Sequence, residues 1–192
     1  MAMIRAFIAI DLSAEIQRRL DEVAGQLKQR LSGGPIRWVP VDNIHLTLKF
    51  LGDVSLANLE MLKKILHSEV GRHHSFEMSV GELGAFPTLR RPRVIWIGVE
   101  APPELMAIQT GIEDETARLG YAREERPFSP HLTMGRVSRN ATSQDAHRIS
   151  EVLGSYKAGF LGATRVQMVH LYRSDLQPGG AVYSRLFSAS LN

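Results

Sequence analysis

The chain has no cysteine among its 192 residues, which excludes disulfide bonds and thiolate metal sites. No apolar run approaches the roughly 20 residues that a membrane-spanning helix needs. Segment 1–11 does not resemble a secretory signal peptide, because Arg5 and Asp11 bracket a run of only five apolar residues. These absences favour a soluble protein of a reducing compartment, and we expect it in the cytoplasm.

Basic side chains outnumber acidic ones only slightly. The 23 basic and 20 acidic side chains give a net charge of +3 at pH 7. A mildly basic balance permits an anionic partner but does not identify one. The length and the 44% hydrophobic content allow one large domain or two small lobes to bury a core. Neither a low-complexity linker nor a solenoid repeat is visible.

Hydrophobic periodicity predicts strands that interleave with four amphipathic helices. The predicted helices begin after Ser13, after Ser55, at Pro102-Pro103 and at Thr142 or Ser143. The predicted strands are 4–10, 45–51, 76–83, 93–99, 131–137, 164–171 and 182–188. This order indicates an α/β or α+β protein whose helices pack against a sheet.

One short motif occurs twice. His45-Leu46-Thr47-Leu48 and His131-Leu132-Thr133-Met134 share the pattern His-Leu-Thr-apolar. Random placement of these residue types gives roughly 0.03 His-Leu-Thr triplets per chain, a crude false-positive rate. Two copies therefore indicate a common role.

Each copy lies on a predicted strand, where side chains alternate between two faces. The face of the imidazole would carry His45, Thr47 and Lys49 in the first copy, and His131, Thr133 and Gly135 in the second. The opposite face would carry Leu46, Leu48 and Phe50 in the first copy, and Leu132 and Met134 in the second. If both strands border one cleft, it holds two imidazoles and two hydroxyls.

Two imidazoles suit a reaction in which one oxygen loses a proton and another gains one. Because the ordinary pKa of histidine is about 6.5, one ring can be neutral and the other protonated at pH 7. Hydrolysis of a cyclic phosphate has this requirement, and its attacking and leaving oxygens lie roughly in line through phosphorus. Acid and base therefore belong on opposite sides of the phosphate. The hydroxyls of Thr47 and Thr133 can donate to its non-bridging oxygens.

The context of the two copies resembles a known family. Segments 43–52 and 128–136 resemble the two His-x-Thr-x signatures of the 2H phosphoesterase superfamily. Segments 5–10 and 37–39 resemble its bacterial and archaeal RNA 2′,3′-cyclic phosphodiesterase branch, historically called 2′-5′ RNA ligases. The resemblance covers nearly the whole chain. It departs from the usual pattern at positions 134 and 135, where Met and Gly replace Leu and Ala.

The resemblance implies an α+β fold in one domain, residues 1–192. Two pseudo-symmetric lobes of mostly antiparallel sheet would enclose a central cleft, with the helices outside. The implied reaction opens an RNA 2′,3′-cyclic phosphodiester to a 2′-phosphomonoester without a metal or cofactor. His45 would be the proton donor to the leaving 3′ oxygen and His131 the proton acceptor from water, although the sequence alone does not order these roles. The implied partners are RNA ends with a cyclic phosphate, tRNA fragments included, and we expect a monomer.

Basic residues near the motifs are candidates for phosphate contacts. Arg136 matches the family's arginine after the second signature. In an unbroken strand it would point away from His131, so this role requires a bulge or a strand end. Lys49 could attract phosphate from the face of His45. The basic turn 90–93 could follow an RNA backbone, and a solvated loop explains it equally well.

Aromatic residues could stack on a base, as they do in many RNA-binding proteins. Phe128, three residues before His131, is the best candidate, ahead of Trp38 and Tyr121. Each of the three also fits a place in the core or at its rim.

Other functions fit the same histidine pair. ATP-independent 2′-5′ ligation is the reverse chemistry, and the excess of water favours hydrolysis. A cyclic phosphate of an ADP-ribose derivative is a smaller possible substrate. A non-catalytic RNA-binding module would use the same cleft but would tolerate replacement of histidine by glutamine. A metal-dependent nuclease would be inhibited by EDTA.

Overall fold

The computed structural model of the chain describes residues 3–100 and 102–192. Within them lie nine strands and four α-helices. The strands are β1 (Met3–Ile10), β2 (Ile36–Trp38), β3 (Leu46–Ser55), β4 (Phe76–Thr88), β5 (Arg91–Val99), β6 (His131–Val137), β7 (Phe160–Val166), β8 (Met168–Gln177) and β9 (Gly180–Ser190). The helices are α1 (Ala14–Arg30), α2 (Leu59–Val70), α3 (Pro103–Arg118) and α4 (Ser143–Ser155). None of these helices is long and apolar enough to cross a membrane.

The strands form one antiparallel sheet in the order β7-β4-β5-β6-β3-β1-β8-β9, with β2 also paired to β6. The sheet has two halves. The first-motif half contains β1, β3, β8 and β9, and the second-motif half contains β2, β4, β5, β6 and β7. In the described residues, β3 and β6 join the halves through one residue pair, Leu46 with Leu132.

One hydrophobic core lies beneath both halves of the sheet. Leu46 and Leu132, the pair at the junction, are fully buried in it. Helix α1 shows how the helices close this core. Ser13 caps it by accepting a hydrogen bond from the backbone N–H of Ile16. Its buried apolar stripe consists of Ile16, Leu20, Val23, Ala24 and Leu27. Burying each large side chain of such a stripe contributes about 1.5–3 kcal/mol.

The boundaries of some elements differ from the prediction. Helix α2 begins at Leu59 rather than after Ser55, because a 3₁₀ turn over Leu56–Asn58 comes first. Strand β2 has only three residues, too few for a periodic pattern. The C-terminal region holds three strands instead of two, since a single residue, Gln167, separates β7 from β8.

Candidate active site

The junction of the two halves brings the motif copies side by side. Leu46 lies opposite Leu132 in antiparallel register, and both side chains enter the core. Each histidine precedes one of these leucines, so His45 and His131 lie on the other face of the sheet. They occupy diagonal positions across the junction, where Cβ atoms are on the order of 7 Å apart. The same register places each threonine of the motif beside the histidine of the other copy.

Both histidine rings are held in the same way. The Nδ1 atom of His45 lies 2.8 Å from the carbonyl oxygen of Asn43, and that of His131 lies 2.7 Å from the carbonyl oxygen of Ser129. A carbonyl oxygen only accepts hydrogen bonds, so we assign the proton of the neutral ring to Nδ1 in both cases. In each ring Nε2 is therefore the nitrogen available to take or deliver a proton.

A stack of rings supports His45. Phe7 lies parallel to it, with centroids 4.7 Å apart, and Tyr172 stacks on the far side of Phe7 at 5.3 Å. The hydroxyl of Tyr172 donates to the carboxylate of Asp11 at 2.7 Å. Tyr183 adds an edge contact to His45 at 5.3 Å. The imidazole is thus packed against an aromatic surface that Asp11 anchors.

This environment changes the acidity of His45. Burial lowers the pKa of His45 below its ordinary value, and this is the largest effect. The hydrogen bond to Asn43 and the negative charge of Asp11 raise the pKa again, by less. The neutral ring is consequently favoured at pH 7 in the free protein.

The second histidine also has an aromatic wall. Phe86 meets His131 edge-on at 4.8 Å, and Trp96 lies 6.4 Å from it. The indole of Trp96 rests against the backbone of Gly84, where a Cβ atom would lie 2.2 Å from the ring. Gly84 is therefore needed for the position of Trp96.

A β-bulge follows the first threonine and changes the expected faces. Leu48 is an extra residue, since Thr47 pairs with Ala9 whereas Lys49 already pairs with Ile8. Lys49 consequently points into the core and is 4% exposed, and Phe50 is 64% exposed on the face of His45. The prediction that Lys49 shares the face of His45 is wrong. So is the prediction that Phe50 lies opposite it, because both assumed an unbroken strand.

A second bulge lies at the same place in the other copy. Met134 is the extra residue, because Thr133 pairs with Trp96 and the next pair joins Gly135 to Ile95. The bulge puts Gly135 on the core side, so its predicted place beside His131 is wrong. It also moves Arg136 onto the face of His131. The condition for a phosphate contact by Arg136 is therefore met.

Lys49 connects the two motif copies through the core side. Its ammonium donates to Glu113 Oε2 at 2.7 Å and to the carbonyl oxygen of Ala122. Glu113 also accepts from the backbone N–H of Glu124 at 3.3 Å. The first copy thereby fixes the loop 121–130, which leads into the second copy.

The aromatic candidates from the sequence lie around this loop and strand β2. Phe128, Trp38 and Tyr121 are half-buried and pack against the core. The stacking role of Phe128 stays a prediction. The sequence reasoning missed the aromatic side chains that contact the histidine rings directly, which are Phe7, Tyr183, Phe86 and Trp96.

Comparison with known proteins identifies the family. The sequence model described as LigT like Phosphoesterase matches residues 10–96 and again residues 97–183, and each match contains one motif copy. The chain belongs to the LigT-like phosphoesterase family. The expected family, the α+β fold and the class of enzyme, a hydrolase of phosphoesters, are confirmed.

Relatives in the LigT-like family match along most of their length. An RNA 2′,3′-cyclic phosphodiesterase of Methanothermobacter thermautotrophicus is 33% identical over 94% of this chain and 95% of its own. One of Escherichia coli is 33% identical over 95% and 93%.

Solved structures agree with this assignment. Escherichia coli LigT, complexed with 3′-AMP, has a TM-score of 0.77 at 30% identity and covers 100% of this chain and 99% of its own. TT0787 of Thermus thermophilus has a TM-score of 0.82 and covers 97% of both chains. At 24% identity it supports the fold alone.

Proposed function

We propose that this LigT-like phosphoesterase hydrolyses RNA 2′,3′-cyclic phosphodiester ends to 2′-phosphomonoesters by a two-histidine mechanism that needs no metal. The observation that carries the proposal is the pair of equally held rings, diagonal across the strand junction, each with Nε2 available. The relatives of Methanothermobacter thermautotrophicus and Escherichia coli, both RNA 2′,3′-cyclic phosphodiesterases, suggest the substrate class. The face of the sheet that carries the site is formed within one chain, so the proposed reaction needs no second subunit.

The reaction follows from this placement. A water molecule gives a proton to Nε2 of His131 as its oxygen attacks phosphorus. The bond from phosphorus to O3′ breaks, and O3′ receives a proton from Nε2 of His45. The products are a 2′-phosphate and a 3′-hydroxyl, and exchange with solvent returns both rings to their starting protonation states. Each acid–base group of this kind contributes about 10²–10⁴-fold to the rate.

Thr47, Thr133 and Arg136 would bind the non-bridging oxygens. In the strand pairings of β3 and β6 all three lie on the face of the histidines, which supports this role. Hydroxyl and guanidinium donors stabilise negative charge that grows on these oxygens in the transition state. Phe128 is proposed to contact the terminal base from the loop before β6.

The order of the two roles needs separate support. Burial lowers the pKa of His45, which favours its neutral form before substrate binds. The proposed donor role therefore requires that the negative phosphate raise this pKa on binding, in the same sense as Asp11 does. An opposite charge close to an imidazole has this effect.

The direct test is incubation of an RNA ending in a 2′,3′-cyclic phosphate with the purified protein in EDTA. We expect a 2′-phosphate product, and a loss of at least about 10²-fold in kcat for His45→Ala and for His131→Ala. His147→Ala is the matched control, since that imidazole is 77% exposed on α4. A normal rate in either site variant would refute the mechanism.

A substrate with sulfur in place of O3′ tests the order of the roles. A thiolate leaves without a proton, so loss of the acid costs much less than it does with the oxygen substrate. We expect His45→Ala to recover most of its activity on the sulfur substrate and His131→Ala to recover none. The opposite pattern would exchange the two roles.

A further inference from the structure

A groove with four arginines continues from the active-site face of the second-motif half. It has a volume of about 1080 Å³ and is lined by residues 34–37, 93–94 and 136–139. The arginines are Arg37, Arg93, Arg136 and Arg139, and all four are exposed. We call it the arginine groove.

Strand pairing places Arg37 and Arg136 of the groove on the same face as the histidines. Arg136 lies opposite Val94 on β5 and opposite Arg37 on β2. His131 and Thr133 precede it on the same face of β6, so the polar side chains form a row that ends in the groove. At about 3.3 Å per residue, the row from His131 to Arg136 is on the order of 15 Å long. One phosphate spans only part of this row. The long side chain of Arg136 can reach back toward a phosphate at the histidines, and the arginines around it are left for phosphates further along the strand.

The charge of the groove is not neutralised by acidic side chains. Its lining residues include no aspartate or glutamate. In the described part of the chain, the carboxylates that form ion pairs take partners other than these four arginines. Arg93 donates to the carbonyl oxygen of Ser138 at 3.0 Å, which leaves most of its N–H groups for a ligand. A bare cluster of guanidinium groups binds phosphates well.

The other side of the cleft has a different character. Phe50 occupies the place in the first copy that Arg136 occupies in the second, two residues beyond the bulge. The ring centroid of Phe50 lies 6.1 Å from that of Phe7. Beyond the histidines the cleft thus continues with Phe50 on the first side and with the arginine groove on the second, so the phosphates of an RNA strand are attracted toward the second side.

We propose that the arginine groove binds the backbone phosphates of the nucleotides that precede the RNA end, so that the enzyme prefers an RNA strand over a mononucleotide. The inference rests on the proposed function, because the terminal cyclic phosphate must lie between His45 and His131. Each phosphate contact on a single strand releases counterions and adds about −0.7 to the slope of log K against log salt.

The test compares wild type with the triple variant Arg37→Gln, Arg93→Gln, Arg139→Gln. The substrates are a mononucleoside 2′,3′-cyclic phosphate and a ten-nucleotide RNA with the same end. We expect wild type to have a higher kcat/KM on the RNA than on the mononucleotide. In the triple variant, the ratio of these two kcat/KM values should fall at least 10-fold. Arg19→Gln on the outer face of α1 is the matched control, and melting temperatures show whether the variants are folded.

Binding of a ten-nucleotide RNA with an ordinary 3′-hydroxyl gives a readout that needs no catalysis. The salt slope of its affinity should fall in magnitude by about 2 in the triple variant, since three contacts are removed. Equal kcat/KM of wild type on both substrates, or an unchanged ratio in the triple variant, would overturn the groove proposal. If wild type hydrolyses neither substrate, the proposed function fails, and the salt slope alone decides whether the groove binds RNA.

Discussion

Replacing Lys49 by methionine tests whether the core side of the first motif supports the second. The Lys49 and Glu113 side chains are 3% and 11% exposed and lie 2.7 Å apart. Removing one partner of a buried ion pair leaves the other charge without compensation and costs about 3–5 kcal/mol. For a chain of this length each kcal/mol lowers the melting temperature by about 2–4 °C, so Lys49→Met should lower it by roughly 10 °C.

Urea unfolding measures this effect, with the double variant Lys49→Met, Glu113→Leu as the matched control. The double variant should recover most of the lost stability, because an apolar pair replaces the isolated carboxylate. Its remaining deficit of about 1–2 kcal/mol reflects the carbonyl of Ala122 and the N–H of Glu124, which lose their partners. The kcat of the folded double variant should still be reduced, because the loop 121–130 is released.

The reasoning would be refuted by a loss below about 1 kcal/mol in Lys49→Met, since that is the range of an exposed pair. A double variant as unstable as the single one would show that the isolated carboxylate is not the cause. A wild-type kcat in the double variant would show that the loop 121–130 does not contribute to catalysis.

Three further predictions concern the histidine face. Asp11→Asn removes a charge that raises the pKa of His45, so the decline of kcat/KM at high pH should begin at a lower pH than in wild type. An unchanged pH profile would show that the charge of Asp11 does not affect the pKa of His45. Because the pKa of His45 is lower in the folded than in the unfolded state, wild type should lose stability as pH falls below about 6.5, and His45→Gln should lose less over the same range in urea unfolding. Thr47→Val and Thr133→Val should each lower kcat at least about 10-fold, while the melting temperature changes little. Thr88→Val is the control, because Thr88 is exposed at the end of β4. A wild-type kcat in both site variants would show that the threonines take no part in the mechanism.

Much of the site could be predicted from the sequence because the signal is local. Leu46 and Leu132 alternate with the histidines over three residues, so the faces of His45, Thr47, His131 and Thr133 follow from strand geometry alone. The duplication predicted that both motif copies border one cleft, and the pairing of Leu46 with Leu132 brings the two copies side by side.

The rest depends on contacts between distant segments. A bulge is a property of two paired strands, so the single-strand pattern around Lys49 and Phe50 gave no sign of the change of face. Phe7 and Tyr183 reach His45 from strands β1 and β9, far away in the chain. Arg136 shows the intermediate case, because the requirement for a bulge could be stated from the sequence although its presence could not.

The identical hold on the two rings has a consequence for direction. Each imidazole keeps its Nδ1 proton on the carbonyl oxygen of the residue two positions earlier in the chain, so the backbone commits neither ring to giving or taking a proton. An ester bound the opposite way round would simply exchange their tasks. The orientation of the bound RNA end must then be set by the residues beyond the two rings. These are aromatic side chains near His45 and arginines past His131.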